Sequence, residues 1–157
     1  MRWVHAEPDV VLDITVRGDA KTQGSKRAIP NKSGGRVSVV ESAKGLPAWR
    51  EAVRHEAALA HKGAPWRGPV VAIITVTRQR PKSHYRANGI ELGSKATPYP
   101  TGRTSGDADK LARAVCDALT AAGVWEDDAQ VVDLIVHKRW CDRSVAPSAR
   151  VVVGLVE

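Results

Sequence analysis

Residues 106–132 read GDADKLARAVCDALTAAGVWEDDAQVV, and this stretch decides the fold of the second half of the chain. Apolar residues recur there at helical spacing, and a glycine of the kind that commonly ends helices follows them. The pattern therefore predicts a helix that ends at Gly123, with a turn over residues 124–129. The apolar positions are Leu111, Val115, Ala118, Leu119 and Ala122.

Strand patterns lie on both sides of this helix. Residues 69–77 (PVVAIITVT) form an apolar, β-branched run that predicts a strand in the middle of a sheet. Residues 130–139 and 149–156 predict two more strands, and the loop between them contains Pro147 and suits a hairpin-like return. Residues 78–106 lack apolar periodicity and predict a long loop of the type that is usually functional or disordered.

The first half of the chain adds a strand and a helix. Residues 10–17 (VVLDITVR) predict a strand that stops at Gly18. Residues 18–45 predict a loop with one short strand at 36–40, and residues 47–62 predict a helix with Pro47 in its first turn. The order β(β)αβαββ indicates one α+β domain over residues 1–157, a mixed sheet with two main helices on one face.

Composition narrows the class of protein. The formal net charge of +7 favours a polyanionic partner, because basic surface gains by releasing counterions from phosphates. Apolar runs are far shorter than the roughly 20 residues needed to span a bilayer, and no segment resembles a signal peptide. Cys116 and Cys141 lack C-x-x-C spacing, so neither zinc nor a disulfide framework is indicated. We expect a cytoplasmic protein with no membrane association, in a bacterium or a phage-infected host.

Charge changes sign along the chain. Residues 17–36 carry six basic residues against one acidic residue, and residues 78–106 do the same, so each segment has a net charge of +5. Residues 107–128 reverse this, with six acidic residues against two basic ones and a net charge of −4. An acidic segment that follows basic segments provides the combination that a metal-dependent enzyme acting on phosphodiesters requires.

The acidic segment has two interpretations. Carboxylates here could bind hard divalent cations, which prefer oxygen ligands, and magnesium is the natural candidate. Alternatively, Asp at a helix start is commonly a cap, and Asp127–Asp128 before a strand is commonly a solvated turn. Asp107 and Asp109 would share one side only in an extended segment, so we expect the helix to begin at or after Asp109. Asp127 and Asp128 diverge in an extended turn, and spacing does not choose between them.

The whole stretch resembles the signature of RusA-type Holliday junction resolvases. That pattern runs D-x-D-N-L-x-K-A-x-x-D-A-L, then a short gap, W-x-D-D-x-Q-V, and a lysine that ends the next strand. The resemblance implies that Asp107, Asp109 and Asp128 bind the metal ion. Arg113 stands where the family has a catalytic lysine, and it keeps the charge but is a poorer proton donor. Lys110 replaces the usual asparagine, which could weaken metal binding or add a DNA contact.

The resemblance also implies a substrate and an assembly. It implies an endodeoxyribonuclease that uses Mg²⁺, with Mn²⁺ as a possible substitute and no small-molecule cofactor. The substrate would be four-way junctions and related branched DNA in recombination, repair or replication, and a homodimer would place two sites on opposite strands. The residues that we expect to contact DNA are Lys26, Arg27, Arg80, Lys82, Arg86, Lys110 and Lys138.

Two other functions fit the residues alone. One is a non-catalytic basic DNA-binding protein in which the acidic segment is a partner surface. The other is a phosphohydrolase of small molecules, which the two +5 segments disfavour because they suit long DNA. Residues 82–86 (KSHYR) suit either a DNA-facing or a solvated loop, whereas Trp125 and Cys116 suit the core.

Overall fold

The computed structural model describes residues 9–24, 27–30, 37–40 and 44–156. The strands and helices follow one another in the order β1, β2, β3, α1, β4, α2, β5, β6. Their bounds are β1 Asp9–Arg17, β2 Arg27–Pro30, β3 Val37–Val40, α1 Leu46–Ala60, β4 Val70–Gln79, α2 Ala108–Ala121, β5 Val131–Cys141 and β6 Ser148–Leu155. Short 3₁₀ helices occupy Lys82–His84, Arg103–Ser105 and Asp128–Gln130. The α+β class with a mixed sheet is confirmed.

The main sheet has four strands in the order β1, β6, β4, β5. Strand β4 pairs in parallel with β5 and antiparallel with β6, so β4 lies in the interior of the sheet as its apolar sequence predicts. The expected hairpin between the last two strands is wrong, because β6 inserts between β1 and β4 and does not pair with β5. Strands β4 and β5 are joined through α2, the crossover connection that parallel strands require.

Alternation along β4 explains why both helices lie on one face of the sheet. Val70, Ala72, Ile74 and Val76 have no exposed surface, whereas the residues between them on the opposite face are in part more accessible. The buried set continues into one cluster with the apolar faces of α1 and α2, including Val53 on α1. The period of two predicts this arrangement, since successive side chains point to opposite faces.

Several boundaries differ from the expectations. Residues 18–45 contain two paired strands rather than one, because β2 pairs antiparallel with β3. Helix α2 begins at Ala108, so Asp109 lies inside its first turn instead of before it. Strand β4 continues through Gln79, which places Arg78 in the sheet and not in the loop. Gln130, expected as the first residue of β5, belongs instead to the third 3₁₀ helix, and β5 begins at Val131.

Two residues assigned to the core are buried as expected. Trp125 is 1% exposed, and its indole Nε1 donates a hydrogen bond of 2.7 Å to Thr120 Oγ1. Cys116 is also buried on α2. No helix in the described part of the chain is both long enough and apolar enough to cross a membrane.

Candidate active site

The turn that enters α2 has a conformation that only glycine tolerates. Gly106 adopts φ +81°, and a Cβ built there would lie 2.6 Å from Thr22 Cγ2. Asp107 follows as the N-cap residue in an extended conformation, but its side chain makes no capping hydrogen bond. The cap explanation of this carboxylate therefore does not hold, and the carboxylate projects from the turn.

Two cationic side chains, those of Arg78 and Lys138, hold this turn in place. We call these two residues, together with Ser105, the entry clamp. Arg78 is 7% exposed, and its Nε and Nη2 donate to Ser105 O at 3.1 and 2.9 Å, while Nη1 donates to Asp19 Oδ1. Lys138 Nζ donates to Ser105 Oγ at 3.0 Å and to Gly106 O at 2.8 Å. The backbone immediately before Asp107 is thus tied to both β4 and β5.

Asp107 is exposed and paired with a neighbour. Lys110 Nζ lies 2.9 Å from Asp107 Oδ2, and the Asp107 side chain is 64% exposed. This hydrogen bond and the charge of Lys110 hold the pKa of Asp107 below its ordinary value, with a smaller contribution from the charge of Lys138. Lys110, which departs from the family pattern, is therefore paired with Asp107, one of the carboxylates expected to bind a metal ion.

One side of α2 carries alternating charge. Asp109, Arg113 and Asp117 follow each other at intervals of four residues, so their side chains project from the same face of the helix. Arg113 and Asp109 are exposed. Asp117 forms no ion pair with Arg113, one turn before it; its Oδ2 lies 3.8 Å from Arg50 Nη2 on α1.

The second group of acids lies on a rigid turn after α2. Asp127 Oδ1 accepts a hydrogen bond of 2.8 Å from Ala129 N, and Gln130 Oε1 accepts one of 3.0 Å from Asp127 N, which together form a capping box. Gln130 Nε2 also donates to Trp66 O and Gly68 O, so the turn is fixed to the segment before β4. Asp127 is used as a cap, whereas the Asp128 side chain takes no part in the capping box and lies beside the Asp127 carboxyl group.

Asp128 lies in acidic surroundings that include a charge on α2. Partial desolvation and the charges of Asp127 and Asp117 raise the pKa of Asp128 above its ordinary value. Burial and the same acidic surroundings, Asp128 included, raise the pKa of Cys116 to about 12. The 3₁₀ turn that carries Asp128 contacts α2, and Asp128 interacts electrostatically with Cys116 and Asp117 in the second half of that helix. Asp117 itself lies about 12 Å beyond Asp109 along the helix axis.

The carboxylate oxygens of Asp107, Asp109 and Asp128 are ligands that a hard divalent cation prefers, but the three side chains are not close enough together to hold one ion. Within the described residues, no three His, Cys, Asp or Glu side chains are grouped closely enough to hold a metal ion. Magnesium in proteins is commonly held by one or two carboxylates, with water and phosphate oxygens completing six ligands. Asp107 with Asp109, or Asp128, provides such a partial set. The three carboxylates do not form one cluster within a single chain.

The expected DNA contacts fall into three groups. Lys26 lies outside the described residues, and Arg27 is placed on β2 by its backbone alone. Lys110 and Lys138 lie at the entry to α2, where Asp107 and the turn engage them. The remaining three, Arg80, Lys82 and Arg86, follow β4; Arg86 pairs with Glu91 at 3.5 Å and Arg80 donates to Thr97 O at 2.9 Å.

The comparison with protein families agrees with this arrangement. The family model described as endodeoxyribonuclease RusA matches residues 19–153, nearly the whole chain. The chain belongs to the RusA family. No curated protein matches it. Membership implies endodeoxyribonuclease activity on Holliday junctions and so identifies branched DNA as the class of substrate.

The main functional feature that sequence reasoning missed in this RusA-family chain is the entry clamp. Arg78 was expected at the start of a loop, as one of several basic residues. Its position was visible in principle, since the buried alternation Val70, Ala72, Ile74 and Val76 reaches Arg78 at the next step. A buried arginine that ends an apolar strand face needs hydrogen-bond acceptors, and Ser105 O is one of them.

Proposed function

We propose that this RusA-family protein is a magnesium-dependent endonuclease, with manganese as a substitute, that cuts four-way junctions and related branched DNA in recombination, repair or replication. The observation that carries the proposal is the exposed Asp107 on a backbone turn that Arg78 and Lys138 hold. A carboxylate on a fixed backbone is what precise placement of a hydrolytic centre needs. No small-molecule cofactor is required for this chemistry.

The roles of the residues follow from their positions. Asp107, Asp109 and Asp128 would hold the metal, which when bound activates water and neutralises charge on the phosphate. Asp128 is preferred to Asp127 because the carboxylate of Asp127 already caps the turn. Arg113, exposed on the same helix face as Asp109, would grip a phosphate oxygen pair with its guanidinium. Lys110 must release Asp107 when the metal binds.

A homodimer would resolve the separation of the carboxylates. Asp107 and Asp109 lie at the start of α2, whereas Asp128 lies on the turn after it and interacts electrostatically with Asp117, which is about 12 Å beyond Asp109 along the axis. If two copies pack with these α2 faces antiparallel about a two-fold axis, Asp128 of one copy approaches Asp107 and Asp109 of the other. Strand β5 ends the sheet on this side and exposes Val132 (57%) and Leu134 (48%), apolar surface that an interface would bury.

The cleavage test uses synthetic four-way, three-way and linear DNA side by side in magnesium. Wild-type protein is expected to nick the four-way junction, and Asp128→Asn is expected to bind that junction without cutting it. Asp9→Asn, an exposed acid on β1, is the matched control and should cut normally. Undiminished cutting by Asp128→Asn would refute the metal assignment. A wild type inert in both magnesium and manganese would favour the non-catalytic DNA-binding protein.

Mixing variants tests whether two chains share a site. Asp107→Asn and Asp128→Asn are each expected to be inactive. In a mixed dimer with shared sites, one site would carry both substitutions and the other neither, so mixing the two inactive proteins should restore nicking of one strand. If each chain held its own complete site, every site in the mixture would carry one substitution and activity would stay absent.

A further inference from the structure

A groove of about 560 Å³ lies between the loop after β4 and the end of β5. Its walls combine aromatic, aliphatic and cationic side chains, and we call it the Tyr85–Trp140 groove. The residues that define it are Arg80, Tyr85, Ile90, Leu92, Trp140 and Arg143. Asp142 also lines it, so the groove has two cations against one anion.

The wall formed by residues 85–92 is a hydrogen-bonded turn. Tyr85 and Leu92 form an antiparallel bridge, and Asn88 Oδ1 accepts hydrogen bonds from the backbone of Ile90 at 3.0 Å and of Glu91 at 3.1 Å. Gly89 at φ +67° completes the turn. Ile90 is 78% exposed at its tip, and Leu92 in the same wall is 47% exposed. The ordered turn therefore presents two accessible apolar side chains to the groove.

The aromatic rings of the groove each have an arginine beside them. Arg143 Cζ lies 5.4 Å from the centroid of Tyr85, and Arg80 Cζ lies 5.4 Å from the centroid of Trp140. Neither arginine forms a salt bridge with a carboxylate in the described part of the chain. An aromatic ring with a guanidinium that forms no salt bridge suits the binding of a nucleotide, because the base is flat and the phosphate is anionic.

The groove adjoins the entry clamp. Trp140 is two residues beyond Lys138 on the same face of β5, a separation of about 7 Å. Both side chains donate to the segment that leads into α2, Trp140 Nε1 to Thr97 O and Lys138 Nζ to Gly106 O. A DNA strand that reaches Asp107 therefore passes within a short distance of the groove.

We propose that the Tyr85–Trp140 groove holds one unstacked nucleotide at the branch point, with the base against Tyr85 and Ile90 and the phosphate at Arg143 or Arg80. This inference rests on the proposed action on branched DNA and names how the branch is recognised. Bases inside a duplex have both faces covered by their neighbours, whereas bases at a branch can be splayed out. The groove would thus distinguish a junction from linear DNA.

Binding without divalent cations tests this apart from cleavage. Affinities for a four-way junction and for linear duplex of equal length are measured by fluorescence anisotropy at one salt concentration. Tyr85→Leu, which keeps apolar bulk but removes the ring, is expected to weaken junction binding about tenfold and to leave duplex binding unchanged. Ile90→Ser should act in the same direction. Tyr85→Phe and Leu59→Ser, a control at a 53% exposed leucine on α1, should keep the wild-type preference.

The outcomes separate the two proposals. A wild type that does not prefer the junction overturns this inference along with the branched-DNA function. A wild type that prefers the junction, with the same preference in Tyr85→Leu, overturns the groove alone, as does an equal loss on junction and duplex. Photocrosslinking gives a second readout that does not depend on stability. 5-Iodouracil at the branch should crosslink to peptides that contain Tyr85 or Trp140, and crosslinks confined to other peptides would contradict the proposal.

Discussion

Replacing Arg78 by methionine tests whether the entry clamp positions the site. Arg78 is 7% exposed, and its two hydrogen bonds to Ser105 O reach a single acceptor, so we count them as one charge-assisted bond of about 1.5–3 kcal/mol. The pair with Asp19 adds at most about 1 kcal/mol, because the Asp19 side chain is 53% exposed and Lys21 also binds it. Methionine keeps much of the packing. We expect a loss of about 2–4 kcal/mol in the free energy of unfolding, measured by urea denaturation.

The functional consequence of Arg78→Met is distinct from its effect on stability. With the turn released, Asp107 loses its fixed position, and a displacement of about 1 Å can reduce a rate about 100-fold. Single-turnover cleavage well below the unfolding transition measures this, while binding to linear DNA should stay unchanged. Arg78→Lys keeps the charge but loses the forked guanidinium, so its cleavage rate should lie between those of the wild type and Arg78→Met.

Arg54→Met on α1 is the control for Arg78→Met, since its pair with Glu51 is exposed and its removal should leave the urea midpoint close to that of the wild type. Loss of under 1 kcal/mol in Arg78→Met with an unchanged cleavage rate would refute the clamp.

Three further predictions concern the charges around α2. Arg113→Ala should reduce the single-turnover cleavage rate about 100-fold, whereas Arg113→Lys should retain most of it. Wild-type activity in both variants would show that the Arg113 side chain takes no part in the mechanism. Lys110→Asn removes the ammonium 2.9 Å from Asp107, so the pKa of Asp107 should rise toward its ordinary value by NMR titration, and less magnesium should give half-maximal cleavage. Asp127→Asn keeps an acceptor for the cap but loses the charge that disfavours ionised Asp128. The pKa of Asp128 in metal-free protein should therefore fall, so that its carboxylate ionises at a lower pH than in wild type; an unmoved or higher value would show that Asp127 does not raise it.

The sequence predicts the elements of the main sheet and both helices, and it does so for physical reasons that are local. The β-branched run at β4 and the 3.6-residue period of α2 each report how one segment buries its own apolar side. The order of strands depends on which edges meet, which no single segment encodes. This is why the position of β6 between β1 and β4 was missed and a hairpin was expected in its place.

For the candidate site as well, the sequence predicts the local features but not the contacts between distant segments. The acidic residues were visible as a cluster in sequence, and the motif assigned roles to them. What could not be read was the long-range bonding, since Arg78 and Ser105 are 27 residues apart and Lys138 and Ser105 are 33 apart. The pair of Lys110 and Asp107 is local, because the N-cap residue and the third residue of a helix lie close together.

The separation of the carboxylates follows from the topology of β4, α2 and β5. Parallel strands need a crossover helix that runs back along the sheet, so α2 begins at the edge where β4 and β5 end and finishes near the edge where they begin. Carboxylates before the helix and after it are therefore drawn apart by its length, about 21 Å for 14 residues, which the turn to Asp128 reduces only in part. A two-fold axis across α2 reverses one copy against the other and brings unlike ends together. In the proposed dimer, each set of carboxylates would be incomplete until a second chain supplied its Asp128. Restored nicking in the mixture of Asp107→Asn and Asp128→Asn proteins is the result that this proposal requires.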